Sequence, residues 1–184
     1  EAWSGDSEST GTLLQAENFM PPALLADFNG DGRRDIVYLN VGGDLRGQFN
    51  IHLQQNSGPY NAIPDWQGPI DTRGAIRLAD LNGDGRMDVF RQTGEGNEWD
   101  VHFFVNRDGQ FNFDQPDQVM RFSGYDVDVS LIDINGDTRP ELNVSYYTIP
   151  VVEAIRNTGI VRTQLLYSQD PQLLFGRRPA FRLE

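Results

Sequence analysis

Three short acidic segments carry the side chains best suited to chemistry in this chain. Each is nine residues long, follows the pattern D-x-N-G-D-x-R-x-D/E, and begins at Asp27, Asp80 or Asp133. Positions 1, 3, 5 and 9 hold side-chain oxygens, and position 7 has a backbone carbonyl to offer. Calcium takes about six to eight oxygen ligands. The pattern therefore predicts three calcium-binding loops.

Glycine and charge support the same interpretation. Position 4 is Gly in all three segments and position 6 is Gly in two, and glycine readily adopts the positive φ of a sharp turn. Carboxylates packed this closely repel each other by about 1 kcal/mol per pair at roughly 4 Å in water, and a bound cation removes that cost. A metal-free turn remains the alternative, because D-G and N-G steps form ordinary turns. Three copies with acids at positions 1, 5 and 9 favour calcium.

The loops recur at a constant interval, which indicates a repeated structural unit. The spacing is 53 residues from Asp27 to Asp80 and again from Asp80 to Asp133. An EF-hand is excluded because its loop closes with Glu at position 12, where this chain has Tyr38, Arg91 and Val144.

The segments on both sides of each loop are typical of β-strands because they are rich in β-branched and large apolar residues. The unit is therefore predicted to be strand, calcium loop, strand. The strands before the loops are predicted at Leu24–Ala26, Ile76–Ala79 and Val129–Ile132, and those after them at Ile36–Leu39, Val89–Phe90 and Leu142–Val144.

Further strands complete each repeat. Alternating apolar and polar residues predict third strands at Phe49–Gln54 and Trp99–Phe103. Outer strands are expected near 62–66 and 109–113, and another strand at Ile160–Tyr167. The third repeat is longer, and Pro150 and Gly159 flank an insertion at 148–159 that we expect to form about two helical turns.

These residues resemble the FG-GAP or VCBS-type repeats found in the β-propeller of integrin α chains and in many secreted bacterial proteins. The resemblance covers about residues 20–184. It implies an all-β fold, with tandem four-stranded antiparallel blades of a partial β-propeller, about three blades, and one short helix inserted in the third repeat. It also implies about three Ca²⁺ ions. The implied metal ligands are Asp27, Asn29, Asp31, Arg33, Asp35, Asp80, Asn82, Asp84, Arg86, Asp88, Asp133, Asn135, Asp137, Arg139 and Glu141, with the arginines contributing only carbonyls.

The third loop departs from the pattern at Thr138 and Glu141. Threonine is β-branched and resists positive φ. We therefore expect the third site to be the weakest, or its turn to differ.

The repeats divide the chain into an N-terminal segment, residues 1–20, and three repeats over 21–184, at approximately 21–73, 74–126 and 127–184. Propellers typically have about four to eight blades, so three blades do not close a ring. We expect a fragment of a longer protein or one chain of an assembly, whose partner is a protein or the remaining blades of a larger propeller. Without such a partner, the apolar blade faces expected at each end would be exposed and prone to aggregation.

The net charge of the chain limits its expected binding partners, and calcium binding indicates its expected cellular location. The chain has 27 acidic and 15 basic residues, a net charge of −12, and all the basic residues are Arg, which is typical of a GC-rich bacterial genome. Such acidity argues against nucleic acid and against anionic membranes, and no segment is apolar enough for membrane insertion. Because millimolar calcium exists outside cells, we expect an extracellular, cell-surface or periplasmic location.

The expected function is that of a non-catalytic calcium-braced module in structure, adhesion or ligand binding. The chain has no Cys, and its two histidines, His52 and His102, occupy similar strand positions without a third ligand. We therefore assign no catalytic residue and no enzymatic activity. The alternative is a carbohydrate-binding or polysaccharide-degrading propeller of the lyase type.

Overall fold

All regular structure in the described chain is β. The computed structural model describes residues 24–41, 46–149 and 159–184. The twelve strands are β1 (Leu24–Ala26), β2 (Asp35–Val41), β3 (Arg46–His52), β4 (Trp66–Asp71), β5 (Ala75–Ala79), β6 (Asp88–Glu95), β7 (Glu98–Phe104), β8 (Gln118–Ser123), β9 (Tyr125–Ile132), β10 (Glu141–Thr148), β11 (Val161–Tyr167) and β12 (Phe181–Leu183).

The strands form three antiparallel sheets of four consecutive strands each, here called sheet 1 (β1–β4), sheet 2 (β5–β8) and sheet 3 (β9–β12). In every sheet an acidic loop joins the first strand to the second. The last residue of the first strand pairs with position 9 of the loop, as in Ala26 with Asp35, Ala79 with Asp88 and Ile132 with Glu141. Position 9 therefore begins the second strand, and the predicted strand–loop–strand unit is confirmed.

The sheets are joined by two separate hydrophobic clusters. One combines residues of sheets 1 and 2, including Phe28, Phe49 and Phe104. The other combines residues of sheets 2 and 3, including Phe103 and Val144. The core thus lies between consecutive sheets rather than at one common centre.

Sheet 2 shows how one sheet serves both clusters. Successive residues of a strand point to opposite faces. Val89 and Phe104 accordingly pack toward sheet 1, while their neighbours Phe90 and Phe103 pack toward sheet 3. Sheet 2 is therefore buried on both faces.

The loop between the third and fourth strands crosses to the preceding sheet. Phe111, in the loop after β7, packs edge-on against Phe49 and Trp66 of sheet 1. Phe175, in the loop after β11, packs against Phe103 of sheet 2. Sheets 2 and 3 therefore each contribute an aromatic side chain to the sheet before them.

Two sequence-based expectations need correction. The outer strands predicted near 62–66 and 109–113 lie elsewhere, because β4 begins at Trp66 and β8 at Gln118. The alternation of Phe111 and Phe113 mimics a strand, but both residues lie in a loop and serve the core between sheets 1 and 2. An alternating apolar pattern alone does not distinguish a strand from a loop whose side chains pack into a neighbouring core.

The predicted helix in the third repeat is not found in the described residues. Residues 150–158 of the 148–159 insertion lie outside the described chain, as do residues 1–20. Thr148 is still part of β10. No helix in the described ranges has the length and apolar character needed to cross a membrane. The described residues also do not close a ring, because neither hydrophobic cluster joins sheet 1 to sheet 3.

The two-sided packing of sheet 2 predicts that Phe103→Ala is severely destabilising. Phe103 is fully buried, and truncating a buried Phe to Ala costs about 3–5 kcal/mol. Chemical denaturation should show this loss of unfolding free energy. The matched control is Phe181→Ala in sheet 3, where the ring is exposed and the loss should stay below about 1 kcal/mol. Equal losses in the two variants would contradict the two-sided core.

Candidate metal centres

Position 1 of each acidic loop organises the turn through its carboxylate. In the first loop, Asp27 Oδ1 accepts the N–H of Gly30 at 2.7 Å and Oδ2 accepts that of Gly32 at 2.7 Å. The second and third loops repeat both bonds from Asp80 and Asp133. Three separate sequences thus fold into one loop geometry.

The backbone of the loops is equally uniform. Positions 4 and 6 adopt positive φ in all three, including Thr138 at φ 71°, compared with 80° and 83° at Gly32 and Gly85. The third turn is therefore not different, contrary to one of the two expectations for it. The β-branched Thr138 adopts a conformation that L-residues resist, so the surrounding loop imposes it.

Position 5 pairs with its own neighbours. Asp31 accepts the side-chain amide of Asn29 at 2.7 Å and pairs with the Arg33 guanidinium at 2.5 Å. The second loop repeats this arrangement, with Arg86 Nη2 and Asp84 Oδ2 2.9 Å apart. No matching ion pair joins Arg139 to Asp137 in the described part of the third loop. The arginine at position 7 thus neutralises part of the loop charge in two sites.

Position 9 is buried and closes the loop from beneath. Asp88 Oδ2 accepts the N–H of Leu81 at 2.8 Å, and its Oδ1 accepts that of Asn106 at 2.7 Å. Asp35 makes the same two bonds, to Phe28 and Gln54. Glu141 keeps the first, to Ile134 at 3.0 Å. This acid therefore ties loop position 2 to the start of the second strand.

The acids at positions 5 and 9 of the second loop have pKa values shifted in opposite directions. Burial, opposed by backbone hydrogen bonds and assisted by the charges of Asp84 and Asp80, raises the pKa of Asp88 to about 7. Burial also raises the pKa of Asp35. Although burial acts in the opposite direction, hydrogen bonds from Arg86 lower the pKa of Asp84. Positions 5 and 9 are thus close enough to interact electrostatically.

The predicted ligands lie together in three loops, but their carboxylates accept hydrogen bonds from N–H groups of the protein. In the described residues, no three His, Asp or Glu side chains converge as metal ligands do. The donor set is nevertheless entirely oxygen, as calcium prefers, and the carboxylates of each loop lie on one turn. The residues fit calcium if the ion replaces two interactions. These are the hydrogen bond between the side chains of positions 3 and 5, and the ion pair between position 5 and the arginine at position 7.

Comparison with known protein families identifies one repeat directly. Residues 27–91 match the model of the FG-GAP-like repeat, a stretch that begins at the first acidic loop and ends just after the second. The chain contains an FG-GAP-like repeat. No curated protein matches the chain.

An amide side chain fastens each of the first two loops to the sheet that follows it. Asn106 of sheet 2 donates from Nδ2 to the carbonyls of Phe28 and Met87 at 2.8 and 2.9 Å. Gln169 of sheet 3 donates from Nε2 to those of Leu81 and Pro140 at 2.9 and 2.6 Å. Each amide thus binds position 2 of the preceding loop and position 8 of its own.

Sequence reasoning missed these amides. The residue after position 9 pairs with a residue of the third strand, and the amide follows that third-strand residue by two positions. The pairs are Ile36 with His52, Val89 with Phe104 and Leu142 with Tyr167, and the corresponding amides are Gln54, Asn106 and Gln169. Their distances from position 9 differ because the third repeat is longer. An alignment of strands rather than of loops is the signal that finds them.

The raised pKa of Asp88 predicts an unusual pH dependence of the metal-free protein. A group whose folded pKa exceeds its unfolded value of 3.8 contributes most stability below that value and loses it as pH rises through about 7. In chelator, the melting temperature should therefore fall between pH 5 and pH 8. Each 1 kcal/mol corresponds to roughly 2–4 °C at this size.

The variant Asp88→Asn isolates the effect, because it cannot ionise and should melt with a flatter pH profile. Asp114→Asn removes one exposed acid and controls for net charge. Parallel pH profiles for the parent and Asp88→Asn would contradict the assignment of this slope to the buried carboxyl.

The positive φ of Thr138 predicts that Thr138→Gly stabilises the protein by about 1 kcal/mol, because glycine adopts this conformation without strain. The reciprocal change, Gly85→Thr, should destabilise it by a similar amount through backbone strain, since a Cβ at Gly85 meets no other atom within 4 Å. Thermal denaturation in chelator measures both. The same sign for the two substitutions would refute the shared turn.

Proposed function

We propose that this chain is a calcium-braced, β-propeller-like module that serves structural, adhesive or ligand-binding roles outside the cell. The observation that carries the proposal is the threefold loop geometry. Three loops of different composition share the same hydrogen bonds at position 1 and the same positive φ at positions 4 and 6. A neutral amide oxygen could accept these backbone hydrogen bonds as well, so carboxylates at positions 1, 5 and 9 exceed what the turn requires.

Electrostatics explains what calcium adds. The net charge of −12 falls to −6 with three bound ions. The buried acids at position 9 also sit near the charges of positions 1 and 5, which raise the pKa of Asp88 beyond the effect of burial. A divalent cation stabilises the ionised form of this cluster. Calcium in this role is a brace rather than a reagent.

The position of the loops explains why bracing matters. Each of the first two loops inserts its second residue into the cluster shared with the following sheet, as Phe28 and Leu81 do. A loop that holds its shape therefore holds two sheets together. Extracellular calcium modules bind at about 10⁻⁴–10⁻³ M, which supports a location where calcium is millimolar.

Calcium titration by calorimetry, with melting curves in calcium and in chelator, tests the proposal. We expect about three ions per chain and a lower melting temperature in chelator. A site that is a hundredfold above its dissociation constant contributes about 2.7 kcal/mol. Magnesium should substitute poorly because it demands a tighter octahedral shell.

The variant Asp31→Ala with Asp84→Ala should lose two of the three ions. Glu95→Ala with Asp114→Ala removes the same charge from exposed positions outside the loops and should keep all three. Melting both in chelator separates lost metal from lost hydrogen bonds. Absence of binding and of any chelator effect would leave the loops as plain turns and refute the proposal.

Carbohydrate binding is a second candidate, favoured by one groove. Arg46, Asp71, Arg73, Phe113 and Asp114 line a cavity of about 580 Å³ between sheets 1 and 2. Arginines beside an aromatic ring are suited to an acidic sugar. Asp71 already pairs with Arg73 at 2.6 Å and with Arg91 at 3.0 Å, so a ligand has to compete with this internal pair.

A panel of acidic polysaccharides, read both for binding and for unsaturated product, separates the candidates. Binding that is weakened by Arg46→Gln without turnover supports a sugar-binding module. Turnover supports the lyase alternative and refutes the non-catalytic proposal. No binding leaves the calcium-braced module as the function.

A further inference from the structure

In the first two acidic loops, the arginine at position 7 pairs with the acid at position 5. Arg33 Nη2 lies 2.5 Å from Asp31 Oδ2, and Arg86 Nη2 lies 2.9 Å from Asp84 Oδ2. A guanidinium group stays protonated in proteins, so its charge is permanent. One oxygen of each of these acids is therefore paired with a cation that belongs to the protein itself.

Each of the two arginines also has a partner outside its loop. Arg33 donates from Nε to the carbonyl of Gln54 at 3.0 Å. Arg86 Nη1 lies 2.5 Å from Asp108 Oδ1. Gln54 and Asp108 both follow the third strand of their sheets. The guanidinium groups thus keep a second partner when they leave the acid at position 5.

The third loop lacks this ion pair. Among the described residues, nothing joins the Arg139 side chain to Asp137 in the way that positions 7 and 5 are joined in the other two loops. Asp137 Oδ2 accepts the Asn135 amide at 3.0 Å. The Arg139 side chain packs on the preceding loop, where its Cγ would lie 2.7 Å from a Cβ at Gly83. The acid at position 5 therefore has no arginine to release when a cation binds.

The acid at position 9 distinguishes the third loop in a second way. Asp35 and Asp88 each accept backbone N–H groups on both carboxylate oxygens. Glu141 accepts the N–H of Ile134 on Oε2 at 3.0 Å. Its Oε1 lies 3.5 Å from the Asn135 amide, which is longer than the roughly 3.2 Å of an ordinary hydrogen bond. The longer glutamate thus keeps one weakly engaged oxygen close to position 3 of its loop.

We propose that Arg33 and Arg86 are internal counter-cations that compete with calcium for the acid at position 5, and that the third loop, which lacks this competition, binds calcium most tightly. The inference rests on the proposed calcium-braced module and deepens it by naming what regulates its sites. Calcium binding requires an ion pair to break in each of the first two loops and none in the third. The weakly engaged oxygen of Glu141 adds a carboxylate ligand of the kind that calcium prefers. This order of affinities is the reverse of the one expected from the sequence.

The partial exposure of the two ion pairs limits the size of the effect. The side chains of Arg33 and Asp31 are 38% and 22% exposed, and those of Arg86 and Asp84 are 26% and 27% exposed. Ion pairs this accessible to water are weak, so we expect each to lower calcium affinity by about two- to fivefold. In chelator the same pairs reduce the repulsion among the loop acids. Replacing either arginine should therefore lower the melting temperature in chelator while raising the affinity for calcium.

Calorimetric calcium titration of single-site chains tests the order of affinities. The acid at position 5 is replaced by Ala in two loops at a time, which leaves the first, second or third loop intact. These chains carry Asp84→Ala with Asp137→Ala, Asp31→Ala with Asp137→Ala, and Asp31→Ala with Asp84→Ala. We expect the dissociation constant of the third-loop chain to be at least about twofold lower than those of the other two. Melting curves in chelator check that each chain is folded.

Replacement of the arginines tests the competition itself. Arg33→Gln in the first-loop chain and Arg86→Gln in the second-loop chain should each tighten calcium binding by about two- to fivefold. Arg139→Gln in the third-loop chain is the matched control, because it removes the same charge from the same loop position without breaking an ion pair. The affinity should rise less in this control. The same three substitutions in the otherwise unchanged protein give the comparison with all loops intact.

Two results would overturn the inference alone. Equal gains in affinity for the three Arg→Gln variants would show a general effect of charge rather than competition for position 5. A third loop that binds calcium no more tightly than the other two would reject the order of affinities. In both cases the calcium-braced module stands, because three ions still bind. A parent protein that binds no calcium would reject the module and the inference together.

Discussion

A buried carboxylate at the end of each acidic loop is the interaction on which the architecture depends. Asp35 and Asp88 accept the N–H of position 2 and a second N–H beyond the third strand. This pair of bonds fixes the direction in which position 2 leaves the loop. Phe28 and Leu81 consequently enter the cores shared with the following sheets. Loop closure therefore presents the side chain against which the following sheet packs.

The same coupling explains how much of the molecule could be predicted. The loop motif and the alternation of its flanks predicted the first three strands of the sheets, because local turn chemistry and a two-residue period determine them. The outer strands were misplaced, since Phe111 and Phe113 alternate as a strand does while belonging to a neighbour's core. That distinction depends on contacts between sheets, which periodicity does not encode.

The candidate sites divide in a similar way. Residue type and spacing identified the oxygen donors, but not that position 9 faces the protein interior with a pKa near 7 at Asp88. That burial comes from the folded loop and sheet around position 9, since Glu141 is buried without a following sheet in the described chain. The fastening amides Asn106 and Gln169 were invisible for a related reason, because their equivalence emerges from strand pairing and not from distance along the chain.

The burial of sheet 2 on both faces sets the order in which the molecule opens. In a linear stack, each unit contacts only its neighbours, and stability is nearly a sum of units and junctions. Sheet 1 or sheet 3 can detach by breaking one junction, whereas sheet 2 cannot be exposed without breaking two. Backbone amides of β6 and β7 should thus exchange with solvent hydrogen most slowly, and the outer sheets form the lower-stability cooperative units. The middle repeat is the kinetic anchor of the chain.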